Sequence, residues 1–139
     1  MELERITDLN AFAAEVHKNA VAHGWWDNNP SFAETALMFY SEISEAVDEY
    51  RNDMPPFYVM KKACAECPDY PAGSHYMETD MSKWTPDDKP EGVAVEMADC
   101  VIRILDWFGA HPELDLEAIL AAKHEYNRGR SYRHGNKKL

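Results

Sequence analysis

Cysteine is scarce: three residues in 139, an odd number that argues against a disulfide scaffold. Cys64 and Cys67 form a C-x-x-C, and His75 could add a third zinc ligand. No clear fourth ligand follows, so these read as inert loop thiols, and Cys100 as a small apolar residue on a helix. Basic charge is also short. Fourteen Lys and Arg stand against 25 Asp and Glu, a formal net charge of −11, which disfavours a general binder of nucleic-acid polymers. No apolar run approaches the ~20 residues of a membrane span. A signal-peptide pattern is missing at the N-terminus, so a cytoplasmic location without membrane association is expected. Internal repeats and low-complexity tracts are absent too. The length suits one domain, 1–139, with a real core.

Helical periodicity dominates what remains. Thr7 to His23 carries Leu9, Phe12, Ala13, Val16 and Ala20 at helical spacing, and Gly24 follows as a C′ residue would. After the turn at Trp25-Trp26-Asp27-Asn28-Asn29-Pro30, Ser31-x-x-Glu34 predicts a capping box for a second helix running to about Arg51. Its apolar stripe is Leu37, Tyr40, Ile43, Val47 and Tyr50, with the two tyrosines expected in the core. Gly92 to Gly109 is apolar nearly all round, which predicts a buried helix. A last helix is expected from about Leu116 to Gly129. Asn52 to Pro90 holds six of the eight prolines and reads as a long irregular excursion. The expected fold class is all-α, a four-helix-type bundle with this excursion between the second and third main helices.

Two acidic pairs carry the chemistry. Glu42 and Glu45 lie three apart on the second helix, and Glu96 and Asp99 three apart on the third. Positions i and i+3 share a face. Packed together, the helices would gather four carboxylates, which repel one another unless a cation sits between them. On the third helix Arg103 and Asp106 continue the charged stripe, as a site or an ion-pair network would require. A ferritin-like di-iron centre needs Glu-x-x-His, and no histidine here has a Glu three residues before it. An all-oxygen set instead suits Mg²⁺, with Mn²⁺ as an alternative. Such a metal, bridged to phosphate oxygens, is the usual agent of phosphoanhydride hydrolysis. Glu45 is the leading candidate to accept the attacking water's proton, and so the catalytic base. From Lys123 onward six cations face the single Glu125. This basic end is either a solvated tail or a phosphate-binding face, and Lys123, Asn127 and Arg130 lie on one side of the last helix as possible donors. Trp25 and Trp26 could stack on a nucleobase or close the end of the helical array. His17 and His23 read as surface or packing residues.

The residues also match in order. Ser41-Glu42-x-x-Glu45-Ala46 is followed by Lys89-Pro90-Glu91-Gly92-x-Ala94-Val95-Glu96-x-Ala98-Asp99, then Lys123-x-x-Tyr126-Asn127-x-x-Arg130 and His134-Gly135-x-Lys137. The set resembles the MazG-like all-α nucleoside triphosphate pyrophosphohydrolases, whose signature is E-x-x-E on one helix and E-x-x-D on the next. The resemblance implies Mg²⁺-dependent cleavage of a nucleoside triphosphate between the α and β phosphates, giving a monophosphate and pyrophosphate. It implies that Glu42, Glu45, Glu96 and Asp99 hold the metal, and that the protein is a homodimer or homotetramer. Nucleotide-pool cleaning is the expected role. The segment between the acidic pairs is longer than in compact members of that family. Two rivals stand beside this reading: an acidic helical module that binds a partner protein, and a phosphohydrolase that releases orthophosphate.

Overall fold

The computed structural model describes residues 5–65 and 69–131. Cys67 and the His134-Gly135-x-Lys137 segment lie outside them. Among the described residues four helices occur in chain order: α1 Leu9–Ala22, α2 Phe32–Arg51, α3 Val93–Gly109 and α4 Leu116–Arg128. Strands β1 Tyr58–Lys62, β2 His75–Glu78 and β3 Pro90–Glu91 form an antiparallel sheet in the order β2-β1-β3. The all-α expectation is therefore corrected to a mixed α and β fold. The irregular 52–90 excursion is corrected with it, because that segment builds the sheet.

The prolines explain the discrepancy. They avoid strand interiors: Pro55 and Pro56 precede β1, and Pro90 is the first residue of the edge strand β3, a position where proline is tolerated. Val59 on the central strand is fully buried, facing Glu78 in one neighbour and Pro90 in the other. The loop after β2 is tied down by Lys61, which donates to the Asp88 carboxylate at 2.7 Å and to the Lys83 carbonyl at 2.8 Å. Asp88 in turn accepts from the Thr85 amide at 2.6 Å. Trp84 is buried beside this loop, edge-on to Phe57.

The chain divides into two compact units. One spans Asn29–Ile104 and holds α2, the sheet and most of α3. Its buried residues include Ala46, Tyr58, Val59, Ala63, Trp84 and Cys100. The Tyr58 hydroxyl donates to Glu49 on α2 at 3.2 Å. Burial, with the nearby Glu49 and Glu91 carboxylates, pushes that phenol up to about 12, so it stays a donor at neutral pH. The α2 start is the expected capping box: Ser31 accepts from the Glu34 amide, and Glu34 accepts from the Ser31 amide.

The other unit joins Ile6–Asn28 to the chain from Leu105 onward. Ala13, Leu105 and Leu116 are its buried core, with Leu9, Phe12, Val16 and Phe108 around them. The Asn10 side chain bridges α1 to α4, donating to Asp115 and accepting from the Leu116 amide, both at 2.9 Å. Gly24 adopts a positive φ after α1, as its C′ position requires.

Two expectations of burial fail. Tyr40 and Tyr50 are 72% and 74% exposed, and Leu37 and Val47 are exposed with them. On α3, Met97, Val101, Ile102 and Ile104 are likewise exposed. Periodicity identifies an apolar face, but it does not say that the same chain covers it.

Candidate metal centre

The site lies within the Asn29–Ile104 unit and is built on two short patterns of burial. On α2 the inward line passes through Glu42 and Ala46, four residues apart. On α3 it passes through Glu96 and Cys100, also four apart. In each case an acid is followed one turn later by a small side chain, which leaves room for the acid's own head group. The second acid of each pair, three residues on, is rotated about 60° from the first. Asp99 is half-buried and Glu45 is exposed.

Glu42, Glu96 and Asp99 come together, each offering an oxygen within 4.8 Å of the others'. Glu42 is 5% exposed and Glu96 9%. Ligands 2.0–2.1 Å from one Mg²⁺ can be separated by at most about 4.2 Å, so small side-chain rotations bring the three oxygens within one coordination sphere. Three hard oxygen donors fit Mg²⁺ or Mn²⁺ and offer nothing to a softer metal. Glu45, the expected fourth ligand, is outside this cluster.

The electrostatics follow from the crowding. Burial raises the Glu96 carboxyl above its ordinary value, and repulsion from Glu45, Asp99 and Glu42 adds to it. Burial also raises Asp99, with Glu42 repelling it, while Arg103 and Lys89 pull it back. Two cations thus attend the cluster. Arg103 donates its Nε to Glu42 Oε1. Lys89 pairs with Glu91 at 3.0 Å and is drawn further by Glu96 and Glu45. The sequence placed Arg103 on the stripe but gave it no partner. Its spacing of seven from Glu96 and four from Asp99 is the signal that puts it on the same face.

No known protein family, curated protein or solved structure matches the chain. The remaining candidate residues lie in the other unit. Lys123 and Arg130 flank Tyr126, their charges 5.0 and 5.8 Å from its ring centre. Both are exposed, as is Asn127 between them. Trp26 donates its indole N–H to both Asp106 oxygens at 3.0 Å and sits edge-on to His17. His17 Nδ1 lies 2.8 Å from the same carboxylate. Within this unit, His17 on α1 and Trp26 after it thus share the Asp106 carboxylate on the last turn of α3. Trp25 is exposed. Among the described residues no helix is long and apolar enough to cross a membrane.

Proposed function

We propose that the chain is a divalent-metal-dependent nucleoside triphosphate pyrophosphohydrolase that hydrolyses its substrate between the α and β phosphates. The observation that carries this reading is the convergence of buried Glu42 and Glu96 with half-buried Asp99 from two helices. Buried carboxylates that close are repulsive without a counter-ion, and they are the ligand set of a hard cation. They would hold Mg²⁺, or Mn²⁺ in its place. When bound, the ion supplies neutralisation of phosphate oxygens and orientation of water. Glu45, water-facing and beside Glu96, is the residue to take the proton of the attacking water. That water's oxygen bonds to the α phosphorus as the α–β bridge breaks, so the monophosphate and pyrophosphate leave. From their sequence pattern alone, Lys123, Asn127 and Arg130 are proposed as phosphate or sugar contacts and Trp25 as a base contact; all four belong to the other unit. Trp26 is already committed to Asp106. The motif resemblance supports the same chemistry and a role in clearing nucleotide pools.

A panel of nucleoside triphosphates with Mg²⁺, scored for pyrophosphate and orthophosphate, tests this. Pyrophosphate is the expected product. Orthophosphate alone would point to a phosphohydrolase. No turnover and no metal binding would leave an acidic interaction module.

The metal should also show in melting curves, with a definite pH dependence. A carboxylate whose folded pKa is raised stabilises the fold while protonated. That contribution is full below the unfolded pKa and is lost as pH rises through the folded one. Glu96 and Asp99 are both of this kind. The metal-free cluster therefore becomes more strained as pH climbs past the ordinary carboxylate values, and over the same interval it gains affinity for a cation. The Mg²⁺-induced rise in Tm should be small at about pH 5 and several-fold larger at about pH 7.5. A rise independent of pH would remove these two acids from the site.

Self-association is part of the proposal. Leu37, Tyr40, Val47 and Tyr50 form one exposed stripe along α2. Large contiguous apolar faces on a folded chain mark contact surfaces, and a symmetric dimer buries the same face twice. Light scattering should give a homodimer or homotetramer at micromolar concentration, and Tyr40→Glu should shift it toward monomer. A wild-type monomer would refute this part alone.

A further inference from the structure

Arg103 is a fixed cation inside a cluster that otherwise calls for one. Its Nε donates to Glu42 Oε1, with side-chain exposures of 31% and 6% for the pair, so the contact is largely out of water. Glu42 is also one of the three acids whose oxygens lie within 4.8 Å of each other. The guanidinium thus lies against the same group of oxygens a metal would use, and its field reaches Asp99 as well. A guanidinium is a planar, multidentate cation suited to carboxylate contacts. Three carboxylates and one guanidinium leave a net charge of −2, which a single divalent ion cancels. Glu45 and Lys89, which also act on the cluster, face water at its rim, where screening weakens them.

We infer that Arg103 is the built-in counter-ion of this cluster: it competes for Glu42 with the exchangeable cation, holds metal affinity down, and limits the cluster to one divalent ion. The inference rests on the metal reading above. Competition also has a use. A centre that binds its ion weakly when empty fills most readily when the ion arrives with substrate phosphates.

The test is Mn²⁺ binding to the full chain, followed by calorimetry and by electron paramagnetic resonance, beside melting curves with and without Mg²⁺. Arg103→Gln keeps a hydrogen-bond donor for Glu42 but removes the charge. It should melt lower without metal and show a larger Mg²⁺-induced rise. It should bind its first Mn²⁺ about tenfold more tightly, with a second, weaker ion detectable. Arg103→Lys keeps the charge without the Nε contact, and should hold the wild-type stoichiometry of one ion with affinity within about threefold. Wild-type binding with equal or weaker binding by Arg103→Gln would overturn the inference and leave the metal reading standing. Should Arg103→Gln fail to fold, Arg103→Lys decides: an unchanged single ion supports the charge role, and a tenfold loss of affinity overturns it. A wild type that binds no Mn²⁺ sinks both.

Discussion

Glu96→Gln is expected to lose about a thousandfold in turnover while melting higher than the wild type without metal. The two effects have one origin. Glu96 is nearly buried, repelled by Glu45, Asp99 and Glu42, and relieved in part by Lys89. Gln occupies the same volume, keeps a carbonyl oxygen and removes the charge. In the metal-free protein this relief should appear as a Tm rise of a few degrees. The neutral amide is a far poorer ligand for a hard cation, so the Mg²⁺-induced stabilisation should shrink with the activity. Glu45→Gln separates ligand from base. Because Glu45 is water-facing and outside the triad, its loss should abolish turnover yet leave most of the Mg²⁺-induced Tm rise. An unchanged turnover in Glu96→Gln would mean that the cluster is an ion-pair network organised around Arg103 rather than a catalytic centre.

Much of this site was legible in the chain because helices report their own geometry. Ser31 and Glu34 marked one helix start, Gly24 marked one helix end, and the 42/45 and 96/99 spacings put acids on shared faces. The departure of Glu45 from the cluster was not legible. It depends on the buried line running through Ala46 rather than between the two glutamates, a matter of helix rotation that an i, i+3 pair leaves open. The sheet was missed for a different reason. Tyr58-Val59-Met60 is a short apolar run between Pro56 and Lys61, too brief for periodicity to decide, and its partner His75-Tyr76-Met77-Glu78 lies beyond two further prolines. Only pairing reveals both. Tyr40 and Tyr50 show the opposite failure: the pattern was right, but its assignment to a core within one chain was not.

Gly92→Ala is expected to destabilise the protein by about 2–4 kcal/mol, a Tm loss of roughly 10 °C, and to weaken metal binding with it. Two constraints meet at this residue. Its φ is +111°, a region that side chains rarely adopt. An added Cβ would also stand 2.6 Å from the Pro55 carbonyl oxygen and 2.8 Å from that of Pro56. Both obstacles are backbone atoms just before β1, which cannot swing aside as the end of a side chain could. The position matters to the site as well as to the fold. The Gly92 carbonyl accepts from the Val95 and Glu96 amides at 2.8 and 3.0 Å, and Ala94 donates to Pro56 at 2.7 Å. The first turn of α3, with Glu96 on it, is thus set by how closely Gly92 approaches the Pro55-Pro56 segment. Gly73 is the internal control. Its φ is +82°, but an added Cβ meets nothing within 4 Å. Gly73→Ala should therefore cost only the conformational term, about 1 kcal/mol, and leave Mg²⁺-induced stabilisation unchanged. Equal losses in the two variants would show that backbone conformation alone matters at Gly92, and that the sheet does not fix where α3 begins.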